Sequence, residues 1–120
     1  MPTLINELNS KFIKVTSMTV LISFYIVPLT GSPSISRYVG EVIHFLREKN
    51  IKFMLTPEST IIEARDVAEG LKIIAEAHER IMSLGVKRMV TVIKIDDRRD
   101  KPLTLDIMKQ KVDKILKDYV

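Results

Sequence analysis

The chain has no cysteine and no tryptophan, four glycines, and only 6% aromatic residues among its 120. Without cysteine it can form no disulfide, no thiolate metal site and no thiol nucleophile. That composition fits a reducing compartment, and a cytoplasmic location is expected. Of the two histidines, His78 has no second imidazole or carboxylate at a metal-ligand spacing and His44 reads as solvated on the polar side of the first helix, so no metal is expected. No nucleophile–base pair or cofactor motif stands out, and the chain is not expected to be an enzyme. No block of like charge stands alone. Nineteen basic and fifteen acidic residues give a net charge of +4, and the two signs alternate along the chain, a weak footprint for nucleic acid.

Long hydrophobic runs are also scarce. The stretch from Val15 to Leu29, preceded by Lys11 and Lys14, superficially resembles a signal peptide. It is short for a membrane span, which needs about 20 residues. Its residues instead alternate, Val20, Ile22, Phe24 and Ile26 against Thr19, Leu21, Ser23, Tyr25 and Val27, as a half-buried strand requires.

What is present is a 46% apolar chain of single-domain length. Residues 1–17 read as an N-terminal extension, with Leu4, Ile5, Leu8 and Phe12 spaced for a short amphipathic helix; Met18, where the compact pattern starts, is suited to an alternative start. Residues 18–120 read as one domain. Its first strand runs from Met18 to Pro28. A helix follows with Ser34 or Ser36 as N-cap and the stripe Ile35, Val39, Val42, Ile43 and Leu46, closed by Asn50. Strands are expected over Ile51–Thr56 and Thr60–Ala64 around a turn at Pro57-Glu58. Asp66 and Glu69 resemble a capping box opening a second helix, whose inner face is read as Val67, Leu71, Ile74, Ala75, His78 and Ile81, ended by Gly85. A strand over Arg88–Asp96 and a third helix capped by Thr104, with the stripe Leu105, Met108, Val112, Ile115, Leu116 and Tyr119, complete the pattern.

The order is βαββαβ plus a C-terminal helix, which predicts an α+β, ferredoxin-like fold: a four-stranded antiparallel sheet with two helices on one face. Leu21, Tyr25, Val27, Val90 and Val92 then make the other face too apolar for open solvent. Sheet-to-sheet dimerisation is expected, with the third helix packing at an edge or on a second subunit.

Three polar segments mark candidate sites at strand ends: Thr30 to Ser36, Thr56 to Thr60, and Lys94 to Arg99. The first is a hydroxyl-rich loop ahead of a helix, suited to capping or to an anion. In the second, two threonines on paired strands could face one pocket. The third reads as a solvated strand end with local ion pairs. His78 reads as a core histidine satisfied by a backbone carbonyl. Glu63, in an apolar strand, needs a partner if it faces an interface.

At these residues the chain resembles the small thiamine-binding protein family. The resemblance rests on Gly31-Ser32-Pro33-Ser34-Ile35-Ser36-Arg37-Tyr38-Val39, Leu55-Thr56-Pro57 through Thr60-Ile61-Ile62-Glu63, Ala77-His78-Glu79, and Arg88 through Arg98. It implies a ferredoxin-like subunit that pairs through its sheets into a homodimer and often a homotetramer. It implies binding of thiamine or its pyrimidine precursor, as ligand and not as catalytic cofactor, near the sheet interface. Carried onto this sequence, it implies pocket contacts from Ser34, Thr56, Thr60 and Thr91, joined by Glu63 and His78. Glu58-Ser59 stand where relatives often have Met-Gly, so the turn is expected to differ in shape. Tyr25, Phe24 and Glu63 are the candidates to meet the thiazolium cation. The alternatives are a structural or regulatory oligomer holding a small anion, and an RNA-binding module of the same topology.

Overall fold

The central strand β1 (Val20–Pro28) organises the molecule. In the computed structural model, residues 19–31 and 35–119 are described. The expected N-terminal helix and the Ser34 cap lie outside them. After β1 come α1 (Ser36–Glu48), β2 (Phe53–Leu55), β3 (Thr60–Ala64), α2 (Val67–Met82), β4 (Met89–Asp96) and α3 (Leu105–Tyr119). The sheet order is β2-β3-β1-β4, and every pairing is antiparallel. This is the expected ferredoxin-like arrangement.

The period-2 pattern of β1 sends Val20, Ile22, Phe24 and Ile26 into the core beneath α1 and α2. There they meet Val42, Phe45 and Leu46 of α1 and Ile73, Ile74, Ala77 and Ile81 of α2. Each of the Val, Ile, Leu and Phe side chains, once buried, contributes about 1.5–3 kcal/mol. Arg80 ties the two helices at the surface, its guanidinium 2.8 Å from Glu48 and 5.8 Å from the Phe45 ring centroid.

The punctuation behaves largely as chemistry dictates. Asn50 takes a left-handed φ of 55° and Gly85 one of 99°. Asp66 accepts from the Glu69 N–H at 2.8 Å, and Thr104 from the Ile107 N–H at 3.1 Å. At α1, by contrast, Ile35 occupies the cap position with no side-chain cap bond, and Ser36 is the first helical residue. Strand β2 is shorter than expected. The Ile51 N–H is drawn back to the Leu46 carbonyl of α1, and the Thr56 N–H to the Ser59 carbonyl of the turn.

One expectation needs correction. The inner face of α2 is Gly70, Ile73, Ile74, Ala77 and Ile81, whereas Leu71 and Ala75 are exposed and His78 is half-buried. The helix is rotated because its glycine, not its leucine, lies on the sheet. A methyl group on Gly70 would overlap the Ile22 side chain and press on Ala64. Counting apolar residues alone misplaces a helix that approaches through its smallest residue.

The second sheet face is covered only in part. Leu21 and Ile61 are buried there by Leu103 and Leu105 at the root of α3, with Met54 and Met108 alongside. Tyr25, Val27, Val90 and Val92 on the same face stay exposed, as do Val112, Ile115, Leu116 and Tyr119 further along α3.

The two helix glycines should respond oppositely to alanine. Gly40→Ala meets nothing within 4 Å and should stabilise the fold by about 0.5–1 kcal/mol through helix propensity. Gly70→Ala gains the same propensity but overpacks the core at a cost of about 1–3 kcal/mol, so net destabilisation is expected. Urea unfolding of both variants measures the difference.

Candidate functional site

Strands β1 and β3 are unequal in length, and the inequality makes the site. β1 pairs with β4 as far as Pro28↔Met89, but with β3 only as far as Phe24↔Thr60. Past Thr60 the chain leaves the sheet and turns through Ser59, Glu58 and Pro57. A notch remains beside Tyr25, Ile26 and Val27. Ile35, at the cap position of α1, and Val39 and Val42 of α1 roof it, and the turn walls it, enclosing a cavity of about 190 Å³. That is below the roughly 300–1,000 Å³ of a drug-sized pocket, so it can enclose one ring while the rest of a ligand extends outside.

The lining is apolar with a few polar groups at defined places. Thr60 is 6% exposed and lines the cavity. Among the described residues its hydroxyl makes no hydrogen bond, so it is available to a ligand as donor and acceptor. Thr56 also lines the cavity, but its hydroxyl is occupied by its own turn. It donates to the Ser59 carbonyl at 2.9 Å and accepts from the Ser59 N–H at 2.9 Å. Glu58 and Tyr25 stand at the mouth, a carboxylate and an aromatic ring, both exposed. The same two residues, with Ser23, Ser59, Val92 and Lys94, border a hollow of about 150 Å³ on the uncovered sheet face. The mouth therefore lies at the rim between the two faces. On the other side the lining residues Ile35, Val39 and Leu55 continue into an open groove along α1 that reaches His44 and Arg47.

The residues expected at the site fall in different places. Ser34 lies outside the described residues. Thr56 and Thr60 share the cavity. Thr91 and His78 face each other across a separate groove between β4 and α2, with His78 Nδ1 2.6 Å from Thr91 Oγ1. His78 thus finds a hydroxyl partner rather than a backbone carbonyl. Glu63 points to the second sheet face and accepts from the Leu105 N–H at 2.8 Å, capping α3. Lys52 supports the same helix end, its ammonium 2.7 Å from Asp106, whose carboxyl it holds below the usual carboxylate range. Glu58 was read in the sequence only as turn chemistry; its place at the mouth follows from the hairpin folding back over β1.

The charged run after β4 forms local pairs, Arg98–Asp100 at 2.6 Å and Arg99–Asp97 at 2.9 Å, with the Asp100 carboxyl held down at about 2 by its arginine. No group of His, Asp or Glu among the described residues could hold a metal ion. No helix among them is long and apolar enough to cross a membrane.

Comparison with known proteins places this geometry. Residues 22–116 match the family model described as thiamine-binding protein, a span covering every strand and helix described above but for the ends of β1 and α3. The chain belongs to the thiamine-binding protein family. Similar members include the UPF0045 protein YqgV of Bacillus subtilis (strain 168), 40% identical over 96 residues that cover 76% of this chain and 91% of that protein. A UPF0045 protein of Methanothermobacter thermautotrophicus is 37% identical over 76 residues, 62% of this chain and 77% of its own. Among solved structures, hypothetical protein MJ1052 of Methanocaldococcus jannaschii superposes with a TM-score of 0.70 at 31% identity, over 78% of this chain and 95% of that one. A Thermotoga maritima protein given a candidate role in thiamine biosynthesis or salvage superposes at 0.67 with 19% identity, over 78% and 98% of the two chains, a likeness of fold alone. Family membership supports a small-molecule binding role for this chain.

Because Glu63 caps α3, Glu63→Ala should loosen that helix and leave the cavity intact. A loss of about 0.5–2 kcal/mol is expected, with faster amide exchange at Leu105 and Met108 and unchanged exchange in β1. Equal protection of α3 in the variant would remove Glu63 from this role.

Proposed function

We propose that the protein binds thiamine or a related aminopyrimidine without converting it, in the cavity between α1, β1 and the β2–β3 turn. The supporting observation is the pairing of an enclosed apolar slot, carrying the uncommitted Thr60 hydroxyl, with a carboxylate and an aromatic ring at its mouth. Thiamine divides the same way. Its neutral aminopyrimidine suits an apolar slot with hydrogen-bonding groups. Its cationic thiazolium suits Glu58 and the Tyr25 face. In this reading thiamine is cargo, and storage, delivery or sensing in the cytoplasm is the role.

The same reading includes self-association. Tyr25, Val27, Val90 and Val92 are 42%, 37%, 44% and 39% exposed, an apolar patch of the kind that marks a protein interface. A second copy laid on it, as a homodimer or within a homotetramer, would bring an interface up to the mouth of the cavity. The RNA-binding alternative has less support, because among the described residues Tyr25 is the only aromatic on that sheet face, beside Val90, Val92 and Lys94, where stacking would need several.

Calorimetric titration with thiamine and, separately, with hydroxymethylpyrimidine tests the binding. Saturable heat from either is expected, and no heat from both would sink the reading. Thr60→Val should weaken both ligands roughly five- to tenfold, the worth of one hydrogen bond, with unfolding unchanged. Glu58→Gln should weaken thiamine and spare the neutral pyrimidine. For the assembly, Val92→Glu should shift the oligomer to monomer by light scattering; an unchanged mass would move the interface elsewhere.

A further inference from the structure

The notch beside β1 contains main-chain groups as well as side chains. Successive residues of a strand point their N–H and C=O groups to opposite edges. The Leu29 N–H donates to the Arg88 carbonyl at 2.8 Å, toward β4. Alternation then turns Val27 and Tyr25 toward β4, and Phe24 and Ile26 toward β3. The same parity holds on β3. The Glu63 N–H donates to Lys52 on the β2 side at 3.0 Å, which turns Thr60 and Ile62 toward β1. Phe24 therefore exchanges hydrogen bonds with Thr60, the last residue in that register. Ile26, the next to face this edge, has no strand opposite it. Among the described residues no backbone bond outside the ladders engages it either. Yet Ile26 is only 6% exposed and lines the cavity. Pro28, the following residue on the same edge, has no N–H. Among the described residues the cavity wall thus offers a main-chain donor, the Ile26 N–H, next to an acceptor, the Ile26 carbonyl.

A buried backbone donor and acceptor without partners are costly to leave unmet, and a ligand that meets both gains what the strand lacks. We infer that the main chain of Ile26 is the specificity element of the cavity: it reads the edge of an aminopyrimidine as a missing strand would be read. A ring nitrogen accepts from the Ile26 N–H, and the adjacent exocyclic amine donates to the Ile26 carbonyl. The Thr60 hydroxyl flanks the ring from the neighbouring strand. The inference rests on the binding reading above and goes beyond it, because it names the ligand feature that is selected. That feature is an acceptor beside a donor on one edge of a planar ring. The thiazolium is left to Glu58 and Tyr25 at the mouth and plays no part in this main-chain reading.

Two properties make the inference testable. First, the Ile26 amide proton should exchange with solvent faster than those of Tyr25 and Val27, which are held in the β4 ladder. Saturation with hydroxymethylpyrimidine should slow it by at least about tenfold, with little change at Tyr25 and Val27. Second, the analogue with hydrogen in place of the exocyclic amine should bind at least about tenfold more weakly, since a hydrogen-bonding site left unmet penalises such a ligand. An amide-to-ester replacement at Ile26 removes the N–H while keeping the side chain and every ladder bond. It should fold normally and lose roughly tenfold in affinity. If hydroxymethylpyrimidine saturates the protein while Ile26 exchange is unchanged and the desamino analogue binds equally, main-chain reading is overturned and the cavity assignment stands. If neither ligand binds, both fall together.

Discussion

A mismatch of strand lengths governs this molecule. β1 continues beyond the point where β3 leaves the sheet, and it can do so because β4 accompanies it on the other side. One edge of the strand therefore keeps its rigidity while the other is released from pairing. A pocket built this way has one wall held by the sheet itself. The alternation that packs Phe24 and Ile26 into the core also fixes which main-chain groups face the gap. Core packing and ligand access are thus set by one periodicity.

The turn from Thr56 to Ser59 does two jobs in this arrangement. Its internal bonds, centred on the Thr56 hydroxyl, hold it in shape without help from a ligand. That rigidity places Glu58 at the cavity mouth and keeps the Thr60 side chain directed inward. A residue in the turn that binds its own backbone and a neighbouring residue that leaves its hydroxyl free are complementary. Preorganisation of this kind lowers the ordering cost of binding.

Much of the architecture was legible because it follows from local patterning. The alternation in β1 and β4, the Asp66 and Thr104 caps and the left-handed Asn50 and Gly85 are all short-range signals. The site was less legible because it depends on register. Thr60 could be placed at the end of β3 from sequence, but that β1 outruns it there is a property of the pairing. Glu63 and His78 illustrate the same limit. Each was recognised as a polar residue needing a partner, and each found one, the Leu105 N–H and the Thr91 hydroxyl, that lies far along the chain. The rotation of α2 about Gly70 was hidden for a different reason. A glycine adds nothing to an apolar count, although its lack of a side chain is what lets helix and sheet approach.

The root of α3 bears on the self-association proposed above. Leu103 and Leu105 sit on one end of the otherwise uncovered sheet face, anchored there by Glu63 and by the Lys52–Asp106 pair. A neighbouring sheet sliding along that face meets a wall at one end and free ground only over β1 and β4. The helix root thus acts as an end-stop. For a second copy seated there as proposed above, it would oppose the continuous offset stacking that builds fibres.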